Sequence, residues 1–175
     1  MQARGKKAVV LVEKLYEDQE LIYPYYRLLE AGAEARIVGP EAGKVYQGKS
    51  GTIATSGLAA RDVDPGALDA LVIPGGYAPD HMRRHHSMID LVRGVFDRGK
   101  VVAAICHAGW MLASAGVVRG RRLTSFFAIK DDLVHAGAQW EDQEVITDGN
   151  LVTSRKPDDL PAFMRSILAL LGSSE

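Results

Sequence analysis

The sequence predicts an α/β fold: a single-domain α/β/α sandwich with a mostly parallel central sheet and a small β-hairpin excursion. Three observations predict it. Residues 8–12, Ala70–Ile73 and Val101–Ile105 are short, almost unbroken apolar runs, the pattern of strands covered on both faces. Helical patterns lie between them, so strand and helix alternate along the chain. Apolar residues make up 47% and charged residues 25% of 175, an ordinary globular balance at the length of one domain.

The elements follow in order. Residues 1–6 read as a loose polar tail before the first strand. Asp18 is placed to cap a helix running to about Ala31, with Leu21, Ile22, Tyr25, Leu28 and Leu29 on one face and Gly32 as a stop. Pro24 lies inside that pattern, so a bend or a frayed first half is expected. Residues 39–66 are rich in Gly, Ser, Thr and charge, with extended pieces at 44–46 and 52–55 that suggest the hairpin. Ser87 is placed to cap a helix carrying Ile89, Leu91, Val92, Val95 and Phe96 and ended by Gly99. Asp148-Gly149-Asn150 sits between two β-prone stretches, a strong hairpin signal. A last helix over residues 160–171 precedes a second tail, 172–175.

Charge and cysteine usage narrow the function. Twenty-one basic against 22 acidic residues leave a net charge of −1, which argues against a nucleic-acid or membrane-surface binder. The longest apolar run has six residues, far short of the ~18 that span a bilayer. The apolar stretch near the start ends at Glu13 with no small-residue cleavage site, unlike a signal peptide. A lone cysteine makes no internal disulfide, so a cytoplasmic setting is expected.

Residues 43–50 read GKVYQGKS, a literal phosphate-loop match. Such a loop follows a buried strand and opens a helix. Here a Gly-Pro turn precedes it and β-prone, glycine-bounded residues follow, so a hairpin carrying two lysines is the better reading.

Cys106 ends the third apolar run and is followed by His107-Ala108-Gly109-Trp110. A cysteine in such a run is ordinarily a small buried hydrophobe. Three features point further. The thiol falls where a strand stops and a helix begins, and the positive end of a helix favours thiolate. Ala108 and Gly109 permit the sharp turn of a nucleophile elbow. His107 is adjacent and offers a base. Pro74-Gly75-Gly76 follows the second run and so lies at the same carboxyl edge of the sheet, where open α/β sheets bind ligands. The N–H groups of Gly75, Gly76 and His107 are candidates for an oxyanion hole, and Glu17 follows the first strand at the same edge.

At these residues the chain resembles the ThiJ/PfpI superfamily, relatives of class I glutamine amidotransferases with a flavodoxin-like sandwich. The resembling blocks include Tyr16-Glu17-Asp18, Leu71-Val72-Ile73-Pro74-Gly75-Gly76 and Ala104-Ile105-Cys106-His107. Others are Lys130-Asp131-Asp132, Asp148-Gly149-Asn150 and Pro157-Asp158-Asp159-Leu160. They run over nearly the whole chain and are closest to PfpI-type intracellular proteases and general stress proteins. The resemblance implies a cysteine hydrolase with Cys106 as nucleophile, His107 beside it and Glu17 hydrogen-bonding the sulfur. It also implies a homodimer or higher homo-oligomer, in which Asp80 orients His107 of a neighbouring subunit. Two departures stand out. Asp80 is one methylene shorter than the family's usual Glu, and Ala108-Gly109-Trp110 replaces the usual Gly-Pro. Trp110 is expected to narrow the pocket and favour small substrates.

With Cys106 activated, the resemblance implies two functions: hydrolysis of amides or reactive-aldehyde adducts, as a peptidase or deglycase acting in stress response, or oxidation to sulfenic or sulfinic acid as a stress sensor without turnover. A binding module with an inert core cysteine is the third. His81, His85 and His86 lie close together, but Arg83 and Arg84 make them a solvated basic face rather than a metal site. Arg119, Arg121 and Arg122 read as surface, and His135 as a helix-end residue. Neither metal nor cofactor is expected.

Overall fold

The computed structural model describes residues 2–173. The strands are β1 (Lys7–Leu11), β2 (Glu34–Gly39), β3 (Val45–Gln47), β4 (Ile53–Thr55), β5 (Leu58–Ala59), β6 (Ala70–Ile73), β7 (Val101–Ile105), β8 (Arg122–Leu123), β9 (Gln139–Trp140), β10 (Val145–Asp148) and β11 (Leu151–Ser154). The helices are α1 (Asp18–Glu30), α2 (Ala78–Met82), α3 (His86–Asp97), α4 (Gly109–Ala115), α5 (Lys130–His135) and α6 (Leu160–Gly172).

Seven strands form one sheet in the order β10-β11-β7-β6-β1-β2-β5. Every pairing in it is parallel except the β10–β11 hairpin. The three apolar runs are its centre, and all five residues of β7 are buried. The chain leaves β1 towards β2 and leaves β6 in the opposite direction, towards β7. Right-handed crossovers then put α1 and α3 on opposite faces. α6 packs beside α1, while α2, α4 and α5 join α3. The order reverses between β1 and β6, so a crevice opens at the carboxyl ends of β1, β6 and β7.

Four details differ from the sequence-based expectation. Asp18 is the first residue of α1 rather than its cap; Glu17 holds the cap position without a side-chain cap bond. The Asp18 carboxylate instead accepts from the N–H groups of Ser50 (2.8 Å) and Thr52 (3.0 Å) on the β3–β4 hairpin. α1 runs through Pro24, and its first turn is formed, because Glu20 and Leu21 both donate to the Glu17 carbonyl and are buried. α3 starts at His86, so Ser87 lies inside it and His85 is its uncapped N-cap. The amino-terminal segment is docked: Ala3 is buried and its N–H donates to the Ala31 carbonyl at 3.0 Å. At the other end α6 continues through Gly172, while residues 1 and 174–175 lie outside the described residues. The phosphate-loop string folds as β3 and its turn, with β4 rather than a helix after it.

Candidate active site

Cys106 has φ +62°, a left-handed conformation that a non-glycine residue adopts only where its surroundings enforce it. β7 stops there and a short 3-10 turn over Cys106–Ala108 leads into α4. The Phe126 N–H donates to the Cys106 carbonyl at 3.1 Å and holds the elbow. Gly109 lets α4 pack closely on Leu133, whose Cδ1 would stand 2.9 Å from a Cβ there.

The glycine pair after β6 closes on the elbow. A Cβ on Gly75 would lie 2.6 Å from Cys106 Cβ and 2.6 Å from Glu20 Oε2, so only glycine fits. Gly76 has φ +73°, and a Cβ there would meet the Glu17 nitrogen at 2.5 Å. Two backbone bonds tie this turn to the one after β1: Glu17 N–H to the Gly75 carbonyl (3.2 Å) and Tyr77 N–H to the Leu15 carbonyl (2.9 Å).

The oxyanion donors sort into two kinds. The N–H groups of Gly76 and His107 point at the Cys106 sulfur. The Gly75 N–H does not; it donates to Glu20 Oε2 at 2.7 Å and is spent on holding that carboxyl.

Glu20, not Glu17, is therefore the carboxylate beside the sulfur. It is fully buried, with Oε2 held by the Gly75 N–H and its carboxyl within hydrogen-bonding reach of the Cys106 side chain. Burial first, then the nearby charge of Glu17, push its pKa up to about 8. Glu17 instead takes the Lys49 ammonium at 2.9 Å. The physical reason lies in the helix: Glu17 is at the cap, facing the crevice mouth, while Glu20 is one turn in, on the buried side with Leu21, Pro24 and Leu28. A glutamate on that apolar stripe is the signal that marks it in the sequence.

Burial, then the charge of Glu20, push the Cys106 thiol up to about 12, against the pull of the two N–H groups and Lys49. The helix start alone thus does not make an acidic thiol here. Two acids side by side in a dry site titrate as a pair. While Glu20 keeps its proton, the charge opposing the thiolate is absent and a hydrogen-bond donor replaces it.

His107 Nδ1 lies 3.2 Å from Cys106 Sγ. Burial and the Lys49 charge lower its pKa, which favours the neutral base. Its ring stacks on Phe126 (5.0 Å, 27°) and meets the edge of Trp110 at 5.3 Å. Trp110 is thus a support behind the histidine and not a wall of the cavity; its indole N–H donates to Asp132 at 2.7 Å. The cavity, about 400 Å³, is lined instead by Glu17, Glu20, Lys49, Gly76, Tyr77, Cys106, His107, Phe126, Lys156 and Pro157. Lys49, Tyr77 and Phe126 are residues that sequence reasoning missed.

Asp80 makes no contact with His107 within the chain. It sits on α2, partly exposed, and pairs with Arg84. His85 pairs with Glu13 at 3.3 Å. Among the described residues no three His, Cys, Asp or Glu side chains group as metal ligands. No helix among them is long and apolar enough to cross a membrane.

A family model described as the DJ-1/PfpI family matches residues 6–170. A protein named deglycase PfpI, from Pyrococcus furiosus, is 46% identical over 165 residues, covering 94% of this chain and 99% of that one. General stress protein 18 of Bacillus subtilis is 40% identical over 169 residues, 95% and 98% of the two chains. The crystal structure of Drosophila melanogaster DJ-1beta superposes with a TM-score of 0.89 at 30% identity, over 96% of this chain and 91% of that one.

Proposed function

Because this chain belongs to the DJ-1/PfpI family, we propose that it is a stress-response cysteine hydrolase whose Cys106 releases amines from reactive-aldehyde adducts. The observation that carries the reading is the left-handed Cys106 elbow, with His107 Nδ1 at 3.2 Å from the sulfur. His107 takes the thiol proton and the sulfur bonds to the adduct carbon. The N–H groups of Gly76 and His107, which point at the sulfur, stabilise its negative charge before that bond forms. At the saturated hemiaminal carbon the carbon–nitrogen bond breaks as the carbon–sulfur bond forms, and His107 gives the proton to the leaving amine. The resulting hemithioacetal collapses, its hydroxyl proton passing to sulfur, to free the aldehyde and restore the thiol. On an amide the same sulfur adds to the carbonyl, the amine leaves with a proton from His107 as a thioester forms, and water hydrolyses the thioester, so peptidase activity uses the same residues by acyl transfer. A 400 Å³ cavity suits small adducts better than a folded polypeptide.

The remaining parts of the reading concern the setting. His107 lacks a carboxylate partner among the described residues, and Asp80 faces outward on α2. Both features favour a homo-oligomer in which a neighbouring subunit's Asp80 orients the ring. The single thiol favours a reducing, cytoplasmic compartment.

Amine release from the methylglyoxal adduct of N-acetyl-lysine tests the proposal. Release by the native chain, lost in Cys106→Ser, is the expected result; equal release by both proteins rejects it. A second reading, oxidation of Cys106 without turnover, is favoured by the buried Glu20 carboxyl beside the sulfur. The two separate at His107→Ala, which is expected to lower turnover roughly 10² to 10⁴-fold and to leave peroxide oxidation of Cys106 intact.

A further inference from the structure

The discarded phosphate-loop string returns to the site by another route. Its second lysine, Lys49, sits on the turn of the β3–β4 hairpin, outside the main sheet, yet its ammonium reaches Glu17 at the mouth of the Cys106 cavity. A hairpin of two three-residue strands is marginal by itself. What fixes it is the first turn of α1. Asp18 is buried and accepts from Ser50 N–H, Thr52 N–H and the Thr52 hydroxyl. Tyr16, also buried, donates its hydroxyl to the Thr52 carbonyl at 3.0 Å, and the Lys49 N–H donates to the Tyr16 carbonyl at 2.9 Å. Gly48 lets the turn approach: a Cβ there would stand 2.6 Å from Asp18 Oδ1.

We propose that Asp18 is a positioning residue of this site, clamping hairpin residues 48–52 so that Lys49 is held on Glu17 as a cation at the mouth of the Cys106 cavity. The inference rests on the reading of Cys106 as nucleophile. The groups facing Lys49 are Glu17 and Glu20 from the start of α1, Tyr77 before α2, Cys106 and His107 from the elbow, and Lys156 across the cavity. Held there, the ammonium cancels the Glu17 charge and draws negative charge onto the sulfur. The pairing raises the Lys49 pKa, with the Glu17 hydrogen bond as the largest cause. Releasing the turn lowers the Lys49 midpoint and raises that of Cys106.

The experiment compares Asp18→Ala, Gly48→Ala, Lys49→Met and the double variant Asp18→Ala/Lys49→Met, each first checked for native circular dichroism. Gly48→Ala keeps every charge and forces the clamp apart sterically, so it separates positioning from the loss of the Asp18 charge and serves if Asp18→Ala does not fold. The Lys49 midpoint is read from its 13Cε resonance and the Cys106 midpoint from the alkylation rate. Both clamp variants are expected to lower the Lys49 midpoint. They raise that of Cys106 by about half a unit or more, a roughly threefold loss of thiolate. The double variant is expected to match Lys49→Met alone. An unchanged Lys49 midpoint in Gly48→Ala, or additive Cys106 shifts in the double variant, overturns the inference. If Cys106 is inert in the parent protein, the nucleophile reading fails, and the Lys49 resonance still decides the clamp.

Discussion

Glu20 and Cys106 meet across the space that a side chain on Gly75 would fill: a Cβ there would be 2.6 Å from both the Glu20 carboxyl and Cys106 Cβ. The missing methyl group lets a buried acid from α1 stand beside a thiol at the end of β7. The Gly75 N–H fixes the acid from the same residue. The chemistry of the site depends on which of the two holds the proton.

That arrangement makes folding stability depend on pH through Glu20. Its pKa in the folded chain is raised from 4.5 to about 8. The contribution is therefore fully present below about pH 4.5 and is lost as pH rises through about 8. Glu20→Gln should flatten this slope. Melting temperatures from pH 5 to 9 are expected to fall for the parent chain and to change less for the variant.

Gly75→Ala should be costly in both respects. The added methyl must displace Cys106 or Glu20, at about 2 kcal/mol by analogy with overpacked cores. Denaturant midpoints and Cys106 alkylation measured together should both drop.

His107→Ala should separate chemistry from thiol access. Loss of the base at 3.2 Å is expected to lower turnover roughly 10² to 10⁴-fold, while native alkylation of Cys106 continues. Unchanged turnover would remove His107 from the mechanism.

Arg155 anchors the segment that carries Lys156 and Pro157 to the cavity. It bridges Asp142 (2.8 Å) and the buried Asp159 (2.8 Å). Arg155→Ala leaves Asp159 buried and unpaired, and a loss of about 2 kcal/mol in chemical denaturation is expected.

Much of this was legible in the sequence because it follows from periodicity. The runs that became β1, β6 and β7 are apolar on both faces, and Asp148-Gly149-Asn150 turns between β10 and β11. Cys106 and Gly76 were legible from their places at strand ends. Glu20 and Lys49 were not, for different reasons. Glu17 and Glu20 are one helical turn apart, and which of them faces the sulfur depends on where α1 begins. Taking Asp18 as the cap put that boundary one residue late, and helix ends are the least certain feature of a pattern. Lys49 reaches the cavity only through the tertiary clamp of Asp18 on the hairpin, which no local spacing encodes. Trp110 and Gly75 were misassigned for a related reason, since each is committed to a partner, Asp132 and Glu20, far away in the chain.

Which of Glu20 and Cys106 holds the proton decides the chemistry of the site, and the rate of Cys106 alkylation against pH, read by intact mass on the native chain and on Glu20→Gln, tests this most directly. Native Cys106 is expected to react in both proteins. The parent profile should show two steps, one of them near pH 8, and the variant a single step at lower pH. Identical profiles, or a cysteine that reacts only after unfolding, would contradict it.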